Sequence, residues 1–193
     1  MHKLFLKTMA VTLLLASTAA QAEWKLDGGA SSFFYVTNKA AAVTEVNTFT
    51  GLSGAIADSG AATLTIDLAT VDTAIEIRNQ RMRDIVFKVA QFPKAEVGVT
   101  VDAAALSALK AGMSITGSYP VTVSLHGVTA ELMADMQVSK LDAGTLQVQL
   151  ARPLVVAASS FGLVEGVEEL RTVANLASIT PNVVVDFTLV YRQ

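Results

Sequence analysis

The sequence predicts a mainly β protein, about eight antiparallel strands closed into a barrel or stacked as a sandwich, with short helical insertions. The first observation is alternation: apolar and polar residues take turns through segment after segment, as a strand with one buried face requires. The second is punctuation, with turn signals at Gly28-Gly29, Asp58-Ser59-Gly60, His126-Gly127 and Asp142-Ala143-Gly144. The third is one stretch that breaks the pattern. Val71–Pro93 reads VDTAIEIRNQRMRDIVFKVAQFP, and its Met82, Ile85, Val86 and Val89 fall at i, i+3, i+4 and i+7, the spacing of a helix. A charged helical excursion between two strands is the expected place for the sheet to be capped.

The chain opens with a leader. Lys3 and Lys7 precede an apolar run around Val11 and Leu13–Leu15, and Ala20-Gln21-Ala22 has the small-x-small form of a cleavage site. This is the pattern of a secretory signal peptide over residues 1–22, with cleavage expected before Glu23 and a periplasmic destination. The run is shorter than the ~20 residues a spanning helix needs, so no transmembrane anchor is expected after cleavage. With no cysteine in the chain, lipid attachment is excluded too. The remainder, residues 23–193, fits a single domain with a sizeable core.

The strands follow in order. Ser31–Thr37 (SSFFYVT) is apolar in both phases, and we take the phase that turns Phe33 and Tyr35 inward. Glu45–Gly51 supplies a second strand. Ala62–Ala69 places Leu64, Ile66 and Leu68 on one face, and Glu96–Asp102 does so with Val97, Val99 and Val101. Further faces are Val121, Val123 and Leu125, then Leu132, Ala134, Met136 and Val138, then Leu146, Val148 and Leu150. The last strand aligns Val183, Val185, Phe187, Leu189 and Tyr191. Helices are expected over Thr73–Gln91, over Ala103–Ala111 with Gly112 as its cap, and over Gly166–Leu176.

Composition narrows the function. The net charge of −3 falls to −5 once Lys3 and Lys7 leave with the leader, which gives no footprint for nucleic acid. Without cysteine, export brings no disulfide, and the fold must rest on its core. Hydrophobic residues make up 52% of the chain, a surplus that points to a large core or an apolar cavity. Reactive groups are scarce. His126 is the one histidine left after the leader, too few for a zinc site without cysteine. It lies in a turn before Gly127, where a hydrogen-bonded turn residue is the expectation. No G-x-S-x-G elbow, phosphate loop or dinucleotide fingerprint occurs. Arg81, Asp84 and Lys88 are spaced to pair along a helical face. The alternative is that Arg78, Arg81 or Arg83 lines a cavity mouth and meets a polar head group.

Several motifs recur together in a known order. Trp24-x-Leu26-Asp27 comes first, then Ser31 before an aromatic strand, then Phe49-x-Gly51. The excursion follows, with Val71-Asp72-Thr73, Arg78-Asn79, Arg83 and a Phe92-Pro93 end. Last come Leu125-His126-Gly127-Val128-Thr129 and Phe161-Gly162-Leu163. In this the chain resembles the YceI-like family of exported proteins across residues 23–193. Many members carry Arg-Asp where this chain has Arg78-Asn79. The resemblance implies an antiparallel eight-stranded lipocalin-like barrel with helical caps. It also implies an internal cavity for long apolar chains, polyisoprenoids or isoprenoid quinones.

The resulting expectation is a periplasmic binding protein for an apolar lipid, with no catalytic residues, no metal and no cofactor beyond a bound isoprenoid lipid or quinone. The candidate ligand-binding residues are Phe33, Tyr35, Phe49, Phe87, Leu125 and Phe161. The alternative is an enzyme acting on a lipid-like substrate with His126 as general base. An integral outer-membrane barrel is disfavoured, since three Tyr and one Trp are too few for two interfacial girdles. If the chain forms a homodimer, an exposed strand edge would be one route.

Overall fold

Eight strand lines, each antiparallel to its neighbours, close on themselves, and four of the eight are broken by a bend. The structure is a computed structural model that describes residues 23–193. The leader, residues 1–22, lies outside the described residues. The first line is β1 (Trp24–Leu26) and β2 (Ser32–Lys39), parted by a 3-10 turn over Gly28–Ala30. The second is β3 (Val43–Phe49) and β4 (Leu52–Ile56), bent at Thr50-Gly51. The third is β5 (Ala61–Asp67) and β6 (Val71–Asp72), parted by a 3-10 turn over Leu68–Thr70. Then come β7 (Lys94–Thr100), β8 (Ser114–Leu125) and β9 (Val128–Asp142), all unbroken. The seventh line is β10 (Thr145–Leu150) and β11 (Leu154–Ala157), broken before Pro153, whose missing N–H cannot extend a ladder. The last is β12 (Asn182–Arg192).

Each line pairs with the next in sequence, and β12 closes the ring. One flank of β12 pairs with β10 and β11, the other with β1 and β2. The alternation then decides the interior. Leu64 and Ile66 of β5, Ala134, Met136 and Val138 of β9, and Leu189 and Tyr191 of β12 are all buried. The barrel of the sequence expectation is therefore the observed one, and the sandwich is excluded. Four short strands were not anticipated: β1, β4, β6 and β11. Each follows or precedes a bend, so each is too short to display a period. The excursion also begins two residues later than its composition suggests, because Val71 and Asp72 pair with Phe49 and Thr48 of β3.

The helices differ most from expectation. The excursion holds α1 over Glu76–Arg81, followed by a π turn over Met82–Val86 rather than one long α-helix. In that turn Phe87 N–H donates to Met82 C=O at 2.9 Å, five residues back. The extra residue per turn lets two consecutive side chains, Val86 and Phe87, both be buried. Helix α2 spans Ala103–Ala108, with Asp102 accepting from Ala104 N–H at 2.8 Å as its N-cap. Gly112 does not cap it. The helix ends at Leu109, and Gly112 sits beyond in a turn at φ +83°. Helix α3 spans Val164–Val173 and packs across the π turn.

The β8–β9 hairpin turns on His126 and Gly127, at φ +53° and +76°, the two positive angles of a type I′ turn. A Cβ on Gly127 would also lie 2.8 Å from the Phe92 ring. At Gly166 the constraint is space. A Cβ there would stand 2.9 Å from the Ile85 carbonyl oxygen and 3.0 Å from Val86 Cα, both main-chain atoms that a side-chain rotation cannot clear. Gly166→Ala is therefore expected to force α3 off the π turn and lower stability by about 1–3 kcal/mol in urea denaturation.

Candidate functional site

The bends divide the barrel into two ends. At the lower end lie β1, α2 and the turns 57–60 and 142–144. Trp24, Val101, Leu106 and Tyr191 are buried there and plug it. At the upper end lie the β2–β3 turn, the excursion, the His126 turn and α3. Between the two ends is a cavity of about 460 Å³, within the range of ~300–1,000 Å³ typical of small-molecule sites. Its wall is hydrocarbon almost throughout, including Leu64, Ile66, Val97, Val99, Val121 and Val123 from β5, β7 and β8.

The polar exceptions are ordered. Along β2 the inward residues are Phe33, Tyr35, Thr37 and Lys39; along β3 they are Phe49, Asn47 and Glu45. Two residues of strand span about 6.6 Å, so chemistry changes stepwise from aromatic through neutral polar to charged as the upper end is approached. Below Tyr35 the rings form one cluster: Tyr35 and Phe49 at 5.6 Å, Phe33 and Phe49 at 6.0 Å, Phe49 and Phe87 at 5.7 Å, Phe33 and Phe187 at 6.3 Å. Above it, Asn47 donates to Thr37 Oγ1 at 3.1 Å. The charged residues of the wall are Lys39, Glu45, Arg78 and Arg81, all at this end.

Helix α1 is held to the strands by its charges. The upper half of β3, Val43–Asn47, has no strand on its outer flank, since β6 pairs only with Thr48 and Phe49. Arg78 reaches across that gap to Glu45 and also donates to the Thr73 carbonyl. Lys39 meets the other Glu45 oxygen at 2.9 Å. Thr73 is fixed in turn, its N–H and Oγ1 both bonded to Asn79 Oδ1 at 2.8 and 2.6 Å. On the opposite rim, Thr180 N–H donates to Asn38 C=O at 2.9 Å and Ala40 N–H to Ser178 C=O at 2.9 Å. Ile75 and Ile77 line the cavity yet are 47% and 59% exposed, so the opening lies beside α1.

All six residues chosen from the sequence lie on this wall: Phe33, Tyr35, Phe49, Phe87, Leu125 and Phe161. Phe34 is not among the wall residues, which settles the phase of β2. Of the three arginines, Arg78 and Arg81 line the cavity and Arg83 does not. Arg83 instead pairs with Glu76 at 2.7 Å and with Gln80 at 3.1 Å. The anticipated Arg81–Asp84–Lys88 row does not form; Asp84 accepts from Gln80 at 2.6 Å. Arg152, just before Pro153, pairs with Asp135. The polar set Asn47, Glu45 and Thr73 was missed, although Glu45, Asn47 and Phe49 alternate in the sequence.

His126 stands apart. It does not line the cavity, its ring packs at a tilt against Phe92 with centroids 4.6 Å apart, and Nε2 is buried without a partner. The turn position is as expected, but the hydrogen bond is not, because the aromatic contact takes the ring's place there. No carboxylate bonds to the ring, so nothing orients it as a base. Among the described residues no cluster of three His, Cys, Asp or Glu side chains forms, and no helix is long and apolar enough to cross a membrane.

An eight-stranded antiparallel barrel with a helical cap over an apolar cavity defines the lipocalin-like class. The chain matches the YceI-like domain over residues 24–191, and it belongs to that family. It is similar to a solved polyisoprenoid binding domain from Saccharophagus degradans implicated in plant cell wall breakdown. The two are 39% identical, with a TM-score of 0.86 over 89% of this chain and 98% of that one. Burkholderia cenocepacia BcnA shares the fold at 17% identity, with a TM-score of 0.66 over 86% of this chain and 98% of its own. No curated protein sequence matches the chain.

Glu45 gives the site a pH dependence. Its hydrogen bond from Arg78 lowers its pKa below the ordinary 4.5, partial burial opposes this, and Lys39 adds to the lowering. A depressed carboxylate stabilises the fold above its unfolded value and loses that contribution as pH falls through the folded value. Glu45→Gln is therefore expected to lower stability at pH 7 and to flatten the loss of stability below pH 4.5, read from thermal melts across pH 3–7.

Proposed function

We propose that the protein is a periplasmic carrier that holds a long-chain lipid of the polyisoprenoid or isoprenoid quinone class inside its barrel. The carrying observation is the cavity itself, hydrocarbon-walled for most of its surface and charged only at its open end. Burial of hydrocarbon there contributes about 0.8 kcal/mol per methylene-sized group, without any directed polar contact along the chain. A slender isoprenoid needs no more than this wall provides. The similarity to a domain described as polyisoprenoid binding supports the ligand class, and the leader motif at residues 1–22 supports the location. A binding role also accords with the position of His126, off the cavity wall and unoriented.

Mass spectrometry of organic extracts from protein purified natively from the periplasmic fraction is expected to release a prenyl lipid. Absence of any such lipid, together with no uptake of a prenyl quinone or prenyl alcohol, would overturn the proposal. Ala134→Phe, which places a ring in the middle of the wall on β9, is expected to leave the fold intact by circular dichroism. It should weaken binding of a prenyl quinone at least about tenfold, roughly 1.4 kcal/mol.

A further inference from the structure

Among the described residues, three fully buried side-chain polar atoms have no hydrogen-bond partner: Tyr35 Oη, Arg78 Nε and His126 Nε2. The first two belong to the cavity wall, at its polar end. Their neighbours there are satisfied. Asn47 is bonded to Thr37, Lys39 and Arg78 to Glu45, and Thr73 to Asn79. An unpaired buried hydroxyl is unfavourable, and phenylalanine would fill the same space without that penalty. The ring alone already serves the aromatic cluster, stacked on Phe49. The hydroxyl therefore has no hydrogen-bonding task within the protein.

A phenol can donate or accept, whereas Arg78 Nε–H can only donate. The one chemical group that complements both is an acceptor oxygen. Burial raises the Tyr35 pKa and the nearby Arg78 guanidinium lowers it, so the phenol stays protonated and ready to donate. Beneath the pair the inward residues of the same strands are Phe33 and Phe49, which accept hydrocarbon. We infer that the occupant is headed rather than purely hydrocarbon, and that its head presents an acceptor oxygen to the Tyr35 hydroxyl, with Arg78 Nε as the second donor at that end. Its chain then runs down past Phe33 and Phe49 toward α2. This rests on the lipid-carrier reading and adds the polarity and orientation of the ligand.

Tyr35→Phe tests it, since the ring and its stacking are kept and one O–H is removed. Binding is measured by tryptophan-fluorescence titration or calorimetry with three probes. These are a prenylated benzoquinone with carbonyl oxygens, a prenyl phosphate, and squalene, which has no oxygen. The variant is expected to bind at least one headed probe about five- to tenfold more weakly, the loss of one hydrogen bond, and squalene unchanged. Which headed probe is affected identifies the acceptor as carbonyl or phosphoryl. The ligand-free variant is expected to melt no lower than the parent, because the removed hydroxyl was unpaired. Unchanged binding of both headed probes, or an equal loss for squalene, would overturn the inference and leave the carrier reading standing. Failure of the parent protein to bind any of the three would overturn both.

Discussion

Closure at β12 is the interaction on which the rest of the structure depends. Its eleven residues are flanked on one side by β10 and β11 and on the other by β1 and β2. Among the described residues it is the one unbroken strand whose two neighbouring lines are both broken by bends. A sheet left open here would expose two long edges and a hydrophobic face to water. Closed, the same inward residues, Val183, Val185, Phe187, Leu189 and Tyr191, become one wall of a space that water has little reason to fill. The cavity is thus a consequence of closure. The bend at the first line is pinned to β12 as well, since Ser31 Oγ accepts from Val190 N–H at 2.9 Å and donates to Asp27 C=O at 2.7 Å.

The bends also set where polarity enters. Each broken line splits into a lower segment and an upper segment nearer the cap, and the upper segments β2 and β11 still pair with β12. The upper segments β2 and β3 carry Thr37, Lys39, Asn47 and Glu45 inward, while no charged residue of the lower segments lines the cavity. Beyond Phe49, β3 runs on without a strand on its outer flank, and a charged helix rather than a strand covers it. Glu45 is the shared anchor of Lys39 and Arg78, so the opening is built from one carboxylate and two cations held in place. Such half-buried pairs contribute little net stability. Their effect is to fix α1 beside the opening, with Ile75 and Ile77 at its rim.

Much of this was legible in the sequence, and the gaps have physical reasons. Long strands such as β8, β9 and β12 show their alternation plainly because one face is less exposed than the other over much of their length. Segments as short as β1, β6 and β11 carry too few residues for any period, and their pairing is decided by partners distant in sequence. The helical spacing of Met82, Ile85, Val86 and Val89 did mark a helical region, but a π turn shifts the register by one residue, and that shift brings Phe87 inside with Val86. Aromatic wall residues could be chosen by type and phase. The pairing of Arg78 with Glu45 could not, because it joins residues on separate elements with no local signal between them. Local spacing instead suggested Arg81 with Asp84, a pair the π turn does not allow to form.

The Arg78-Asn79 pair shows how one neutral residue keeps the charges of the opening in order. Asn79 is buried, and its Oδ1 takes both donors of Thr73. An aspartate in its place would accept the same two bonds but would bring a second, less solvated carboxylate beside the Arg78 guanidinium. A buried carboxylate demands a counter-charge, so Arg78 would then be shared between two acids. With asparagine, the demand for charge falls on Glu45 alone, and Arg78 is drawn toward β3. That geometry leaves Nε unpaired within the wall. The neutral residue at 79 thereby does two things at once: it braces the entry to α1 through Thr73, and it leaves the guanidinium free to seal the edge of β3 while keeping one donor in reserve beside Tyr35.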